Sequence, residues 1–112
     1  MNKELKQKWI DALCSGDYPQ TQSELCNSGG YCCLGVLCDI VDNTKWSTSD
    51  DQVISYDFGY GKCNEFPTYT WLDQVVYLPH YQAQVLATLN DEKDYDFHDI
   101  AQWITDNVKE TA

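Results

Sequence analysis

The chain has no arginine, and its 112 residues set seven cationic side chains, all lysine, against 18 carboxylates, for a formal charge of −11. Such a molecule repels duplex nucleic acid and anionic membrane surfaces at long range, so direct binding to either is excluded as an expectation. Continuous apolar runs of about 18 residues are absent, and "MNKELKQKWIDAL" mixes charge with apolar residues where a signal peptide would be uniformly apolar. Neither a membrane span nor export is therefore expected. Histidine is scarce, at two positions (His80 and His98). No CxxC or HxxxH spacing accompanies them, and neither a GxSxG turn, a phosphate loop nor a dinucleotide fingerprint occurs. These gaps argue against a metal, a cofactor and an enzyme. Carboxylates are too numerous to single out a pair, and a Cys with His nucleophile and base stays open as the catalytic alternative.

What is present is enough for one domain. The length suits a single unit over residues 1–112 with a real core, and hydrophobic residues at 43% place it among folded rather than disordered chains. Six cysteines (Cys14, Cys26, Cys32, Cys33, Cys38, Cys63) in a chain without an export signal are expected as thiols. Free cysteine behaves as a small hydrophobe and is among the most buried residue types, so packing is the expected role. A metal site or a reactive or disulfide role is the alternative.

Leu5, Trp9, Ile10 and Leu13 recur at helical spacing, and Gly16 stands where a helix stop is expected. Residues 17–30, with Pro19, Asn27, Gly29 and Gly30, read as a loop, with a short turn near Ser23–Cys26. Tyr31 to Val41 is apolar on nearly every side, which predicts a central helix. Gly35 within it costs about 1 kcal/mol relative to alanine, so another segment is expected to press against its backbone. Asp39, the only charge there, lies near the end where the dipole disfavours it and requires a partner.

Residues 43–77, rich in Thr, Tyr, Val and Trp, read as two to four short antiparallel strands. A helix opened by Pro79 and stopped at Asn90-Asp91 follows, then a last helix capped by Asp96 with Phe97, Ile100, Ala101 and Ile104 on one face. The expected class is α+β: about four helices around a central apolar helix, with a small antiparallel sheet inserted after the second helix.

"KWIDALCSGDYPQTQSELC", "GYCCLGVLCD", Leu78-Pro79, Leu89–Asp91 and "FHDIAQWI" together resemble a family of small uncharacterised proteins from phage genomes, prophages and bacterial chromosomes. Members tend to carry basic residues where Cys14 and Cys26 stand here. The resemblance implies phage association, a host-cytoplasm location and antagonism of a host function, often a defence system. It brings no catalytic residues.

Two functional expectations follow. In the first, a non-enzymatic protein sequesters a small nucleotide-derived signal. Its phosphate sits at Gly29-Gly30, ahead of a helix N-terminus whose N–H groups and dipole favour an anion. Lys3, Lys6 and Lys8 assist, and an aromatic of the inserted sheet stacks on the base. Tyr18, Gln20, Tyr31 and Asn90 complete the candidate ligand set, although Gly-Gly also reads as a plain turn and Asn90 as a helix stop. In the second, an acidic inhibitor occupies the basic surface of a host nucleic-acid or defence enzyme, with charge accelerating association. A homo-oligomer is left open.

Overall fold

In a computed structural model, which describes residues 1–59, 61–92 and 94–111, the chain opens with helix α1 (Lys3–Cys14). Asn2 caps it, its Oδ1 accepting from the Glu4 and Leu5 amides at 2.9 and 3.1 Å. Trp9 and Leu13 are buried on the inner face as their spacing predicts. Gly16 takes a positive φ of +81° just past the helix, the left-handed stop that glycine allows without strain.

The stretch expected as loop contains a two-residue hairpin, β1 (Cys26–Asn27) paired antiparallel with β2 (Gly30–Tyr31). Tyr31 therefore belongs to a strand, and the central helix α2 starts two residues later, at Cys33–Val41. Cys32 is its cap: Sγ accepts from the Gly35 amide at 3.3 Å. Residues Cys33 to Cys38 are all buried, which an all-round apolar helix requires.

Gly35 has the close neighbour its helical cost demanded. A Cβ there would lie 1.8 Å from the Leu25 carbonyl oxygen. That same carbonyl accepts from the Cys32 amide at 3.1 Å. The Leu25 backbone is thus locked across the helix start.

After a 3₁₀ turn (Asn43–Lys45), strands β3 (Trp46–Thr48), β4 (Ile54–Asp57) and β5 (Lys62–Cys63) form an antiparallel sheet in sequence order. The strand reading fails beyond it: Tyr69–Gln74 is helix α3. Thr68 decides the matter locally, its Oγ1 accepting from the Trp71 amide at 3.4 Å. Trp71, Leu72 and Val76 then fall on one buried face, so capping and helical spacing outweigh the β-branched Val75-Val76 pair.

Helix α4 (His80–Asp91) follows Pro79, and α5 (Phe97–Asn107) follows Asp96. A reciprocal capping box opens α5: the Asp99 amide donates to Asp96 Oδ1 at 3.0 Å and the Asp96 amide to Asp99 Oδ2 at 3.2 Å. α1 and α4 pack against α2, and α5 lies on α1 and α4. The radius of gyration, 13.0 Å, matches the value of about 13 Å for a compact chain of this length. The fold class is the α+β domain expected, with a second, smaller sheet and an additional helix.

Two stability changes test these local arguments. Gly35→Ala should lower the unfolding free energy by about 3 kcal/mol, as overpacking against fixed backbone does; a urea midpoint close to wild type would contradict the Leu25 contact. Hydrogen bonding from the Asp99 amide holds the Asp96 carboxyl below its ordinary range. Its stabilising contribution is therefore complete above the unfolded value of about 3.9 and is lost as pH falls through the lower folded value. Asp96→Ala should cost about 1 kcal/mol at pH 7. Thermal melts of the two proteins should converge in acid.

Candidate interaction face

The six residues expected to bind a ligand fall into two groups, and both are engaged internally. Asn90, with 0% exposure, fastens three segments. Its Oδ1 accepts from the Cys33 amide at 3.0 Å and from Gln20 Nε2 at 3.2 Å, while its Nδ2 donates to the Thr21 carbonyl at 2.8 Å. Gln20 also donates to the Tyr95 carbonyl at 3.0 Å. The first free amide of α2 is thus taken by Asn90 and that of Gly35 by Cys32. These are the donors that a bound phosphate would have used.

Gly30 sits at φ +137°, and a Cβ there would meet the Pro19 carbonyl at 2.1 Å. The same Pro19 carbonyl accepts from the Tyr31 amide at 2.8 Å. Gly29 is exposed in the hairpin turn, its amide donating to Asn27 Oδ1 at 2.8 Å. Both glycines thus serve the hairpin. Of the lysines expected beside them, Lys6 is buried and lies 3.7 Å from Glu110.

Tyr18 and Tyr31 form the second group. Their rings meet edge to face at 5.1 Å, and the row continues through Trp46, Tyr56, Phe58 and Trp71 with successive centroids between 4.8 and 6.0 Å. Asp39 has the partners its position required: Tyr18 Oη donates to Oδ2 at 2.6 Å and Trp46 Nε1 to Oδ1 at 3.0 Å. Burial, reinforced by the Asp39 carboxylate, raises the Tyr18 phenol above its ordinary value, and burial raises Tyr31 as well. Both remain neutral donors at physiological pH. Of the aromatics expected in the inserted sheet, Trp46, Tyr56 and Trp71 are turned into one another, whereas Tyr69 and Tyr77 are exposed.

Four of the six thiols, Cys26, Cys32, Cys33 and Cys38, are buried as a packing role requires, and Cys63 is half-buried. Burial pushes Cys32 up to about 11, and Cys33 and Cys38 lie well above the ordinary thiol value for the same reason. Of the six, only Cys14 is exposed. Among the described residues no cluster of three His, Cys, Asp or Glu is placed to hold a metal.

The unpartnered surface lies elsewhere, on α3, α4 and the turn between them. Tyr69, Val75, Tyr77, Tyr81 and Val85 are exposed at 67, 51, 58, 65 and 38%. From Gln74 to Asn90 there is no Asp, Glu, Lys or Arg, whereas Asp73 and Asp91 stand at the ends of that stretch. Along α4, Tyr81, Gln84, Val85 and Thr88 all face solvent. A charge-free exposed helix face in so acidic a chain has the anatomy of an interface centre, where charge is depleted and tyrosine enriched. Tyr77 adds a backbone signal: it holds φ +54° without being glycine, a conformation costing of order 1 kcal/mol, and displays its ring. The missing charges were legible in the sequence. The exposure was not, because the same residues read equally well as core.

Tyr69 stacks on His80 with centroids 3.9 Å apart and planes at 20°, and Phe66 meets His80 edge-on at 5.5 Å. Two hollows flank that stack. One, about 270 Å³, includes Asp73, Gln74 and Leu78; the other, about 620 Å³, includes Phe66, Gln84 and Thr88. Tyr60, one of the aromatics of the 43–77 segment, lies outside the described residues.

The fold and this surface define a small α+β domain whose polar interior is satisfied from within and whose uncharged helical face is open. The chain belongs to the family described as a domain of unknown function, DUF8296, whose model matches residues 1–108. No curated protein and no solved structure matches it. Among the described residues, no helix is long and apolar enough to cross a membrane.

Removing the Asn90 amide tests the internal role assigned to it. Asn90→Ala strands the buried Cys33 amide and Thr21 carbonyl, so it should lower stability by about 3 kcal/mol. A loss below about 0.5 kcal/mol in equilibrium urea unfolding would free Asn90 for the ligand role.

Proposed function

We propose that this protein is a non-enzymatic binding protein that occupies a basic, partly apolar surface of a host protein, with a defence or nucleic-acid enzyme as the expected owner given the resemblance to phage proteins. The observation that carries this is the charge-free face from Val75 to Thr88, set in a chain of net charge −11. Uncharged aromatic centres supply affinity, and a surrounding acidic field steers a basic partner and raises the association rate. Among the described residues a single ion pair lies within 4.0 Å, Lys6–Glu110. Most carboxylates are therefore available to that field.

One observation favours sequestration of a nucleotide-derived signal instead. The hollow of about 620 Å³ beside Tyr69 and Phe66 falls in the range of about 300–1,000 Å³ occupied by small molecules, and it offers a ring for stacking. None of the residues that line it is a lysine, so the imidazole of His80 is the basic group it offers a phosphate.

The two readings separate in one experiment. Tagged protein is purified from host cells, its co-purifying polypeptide identified, and any small molecule released by heat analysed by mass spectrometry. The binding-protein reading expects a basic polypeptide whose affinity falls steeply with salt. Val85→Glu, at the centre of the charge-free face, should weaken it at least tenfold, about 1.4 kcal/mol. Asp50→Asn with Asp51→Asn should mainly slow association. Asp57 is a poorer probe, because its Oδ1 accepts from the Gly59 amide at 2.8 Å. A released nucleotide without a polypeptide would reverse the choice.

A further inference from the structure

The geometry points to a specific contact at the edge of this face: Tyr69 and Asp73 form a seat for an arginine side chain of the partner. This rests on the reading of a basic protein partner and adds the group that the face selects. Tyr69 and Asp73 are four residues apart on α3 (Tyr69–Gln74), the spacing that puts two side chains on the same side of a helix. The Tyr69 ring is backed on one side by His80, at 3.9 Å and 20° between planes. The residue is 67% exposed, so much of the ring is open to solvent. A ring braced in this way is a preorganised platform, so little freedom is lost when a second planar group stacks on it.

The hollow beside the ring brings Tyr69, Asp73, Gln74 and His80 together over Leu72 and Leu78, in about 270 Å³. That is smaller than the range of about 300–1,000 Å³ typical of small-molecule pockets, and suits one inserted side chain. An aromatic face beside a carboxylate distinguishes the two basic side chains. Guanidinium is planar, stacks on aromatic rings and engages a carboxylate through two parallel N–H bonds, whereas an ammonium offers only a point charge. Nothing within the described residues competes for Asp73: the chain contains no arginine, and the one ion pair there joins Lys6 to Glu110. Tyrosine and arginine are enriched among the residues that carry most of the energy of protein interfaces, in pockets that exclude water.

The test is a two-dimensional amide NMR titration of the intact protein with acetyl-Ala-Arg-Ala-amide. The expected result is a set of shifts confined to residues 66–74 and 80–88, weaker for the lysine peptide and absent for the citrulline peptide. Tyr69→Ala and Asp73→Asn should each weaken binding about fivefold. Both positions are exposed, and unchanged spectra elsewhere verify that each variant is folded. Shifts spread over the acidic surface and unaffected by Asp73→Asn would overturn the seat while leaving a basic partner in place. Equal binding of the citrulline peptide would also overturn it, since the ring alone would then be acting. A captured partner that is acidic, or whose affinity ignores salt, removes the underlying reading whatever the peptides do.

Discussion

The buried amide of Asn90 is the point at which three stretches of chain are tied. Its oxygen accepts from the start of α2 and from Gln20, and its nitrogen donates to Thr21. A fully buried amide is costly unless its polar atoms are paired. Once they are, it fixes the end of α4, the loop before the hairpin and the central helix relative to one another. The Leu25 carbonyl, crossing the space where Gly35 lacks a side chain, secures the same junction from the other side. The aromatic row from Tyr18 to Trp71 then packs around a frame already set.

This construction separates inside from outside. Residues with recognisable polar chemistry, such as Asn90, Gln20, Tyr18 and Asp39, spend it on one another. The surface left unengaged is without formal charge along its centre: a helix face bordered by carboxylates and displaying three tyrosines. Burial of apolar and aromatic area is non-directional and suits a protein surface. Fixed cationic donors of the kind that hold a phosphate are missing from the larger hollow on that face. The family assignment, to a domain of unknown function spanning residues 1–108, leaves this surface as the main guide to activity.

Much of the fold was legible because its signals are local. The apolar spacing of Trp9 and Leu13, the Asp96 cap, the Gly16 stop and the all-round apolar α2 each depend on neighbours a few residues away. Asp39 and Gly35 were legible in a weaker sense: each announced a need, for a partner and for a close contact, without naming what met it. Helix α3 was misread because a β-branched pair resembles a strand until the Thr68 cap and the burial of Trp71 and Leu72 are seen together. The hairpin was missed because two-residue strands hold almost no periodicity.

By itself the sequence determined the class, the core helix and the acidic field, since composition and short-range spacing suffice for these. Only the tertiary structure decided which aromatics face inward. Trp46 and Tyr56 pack into the row, while Tyr69, Tyr77 and Tyr81 remain outside. It likewise decided that Gly30 meets Pro19 and that Asn90 meets Cys33. The physical reason is common to all three. Exposure and long-range pairing are properties of where distant segments come to lie, and no residue carries that information alone.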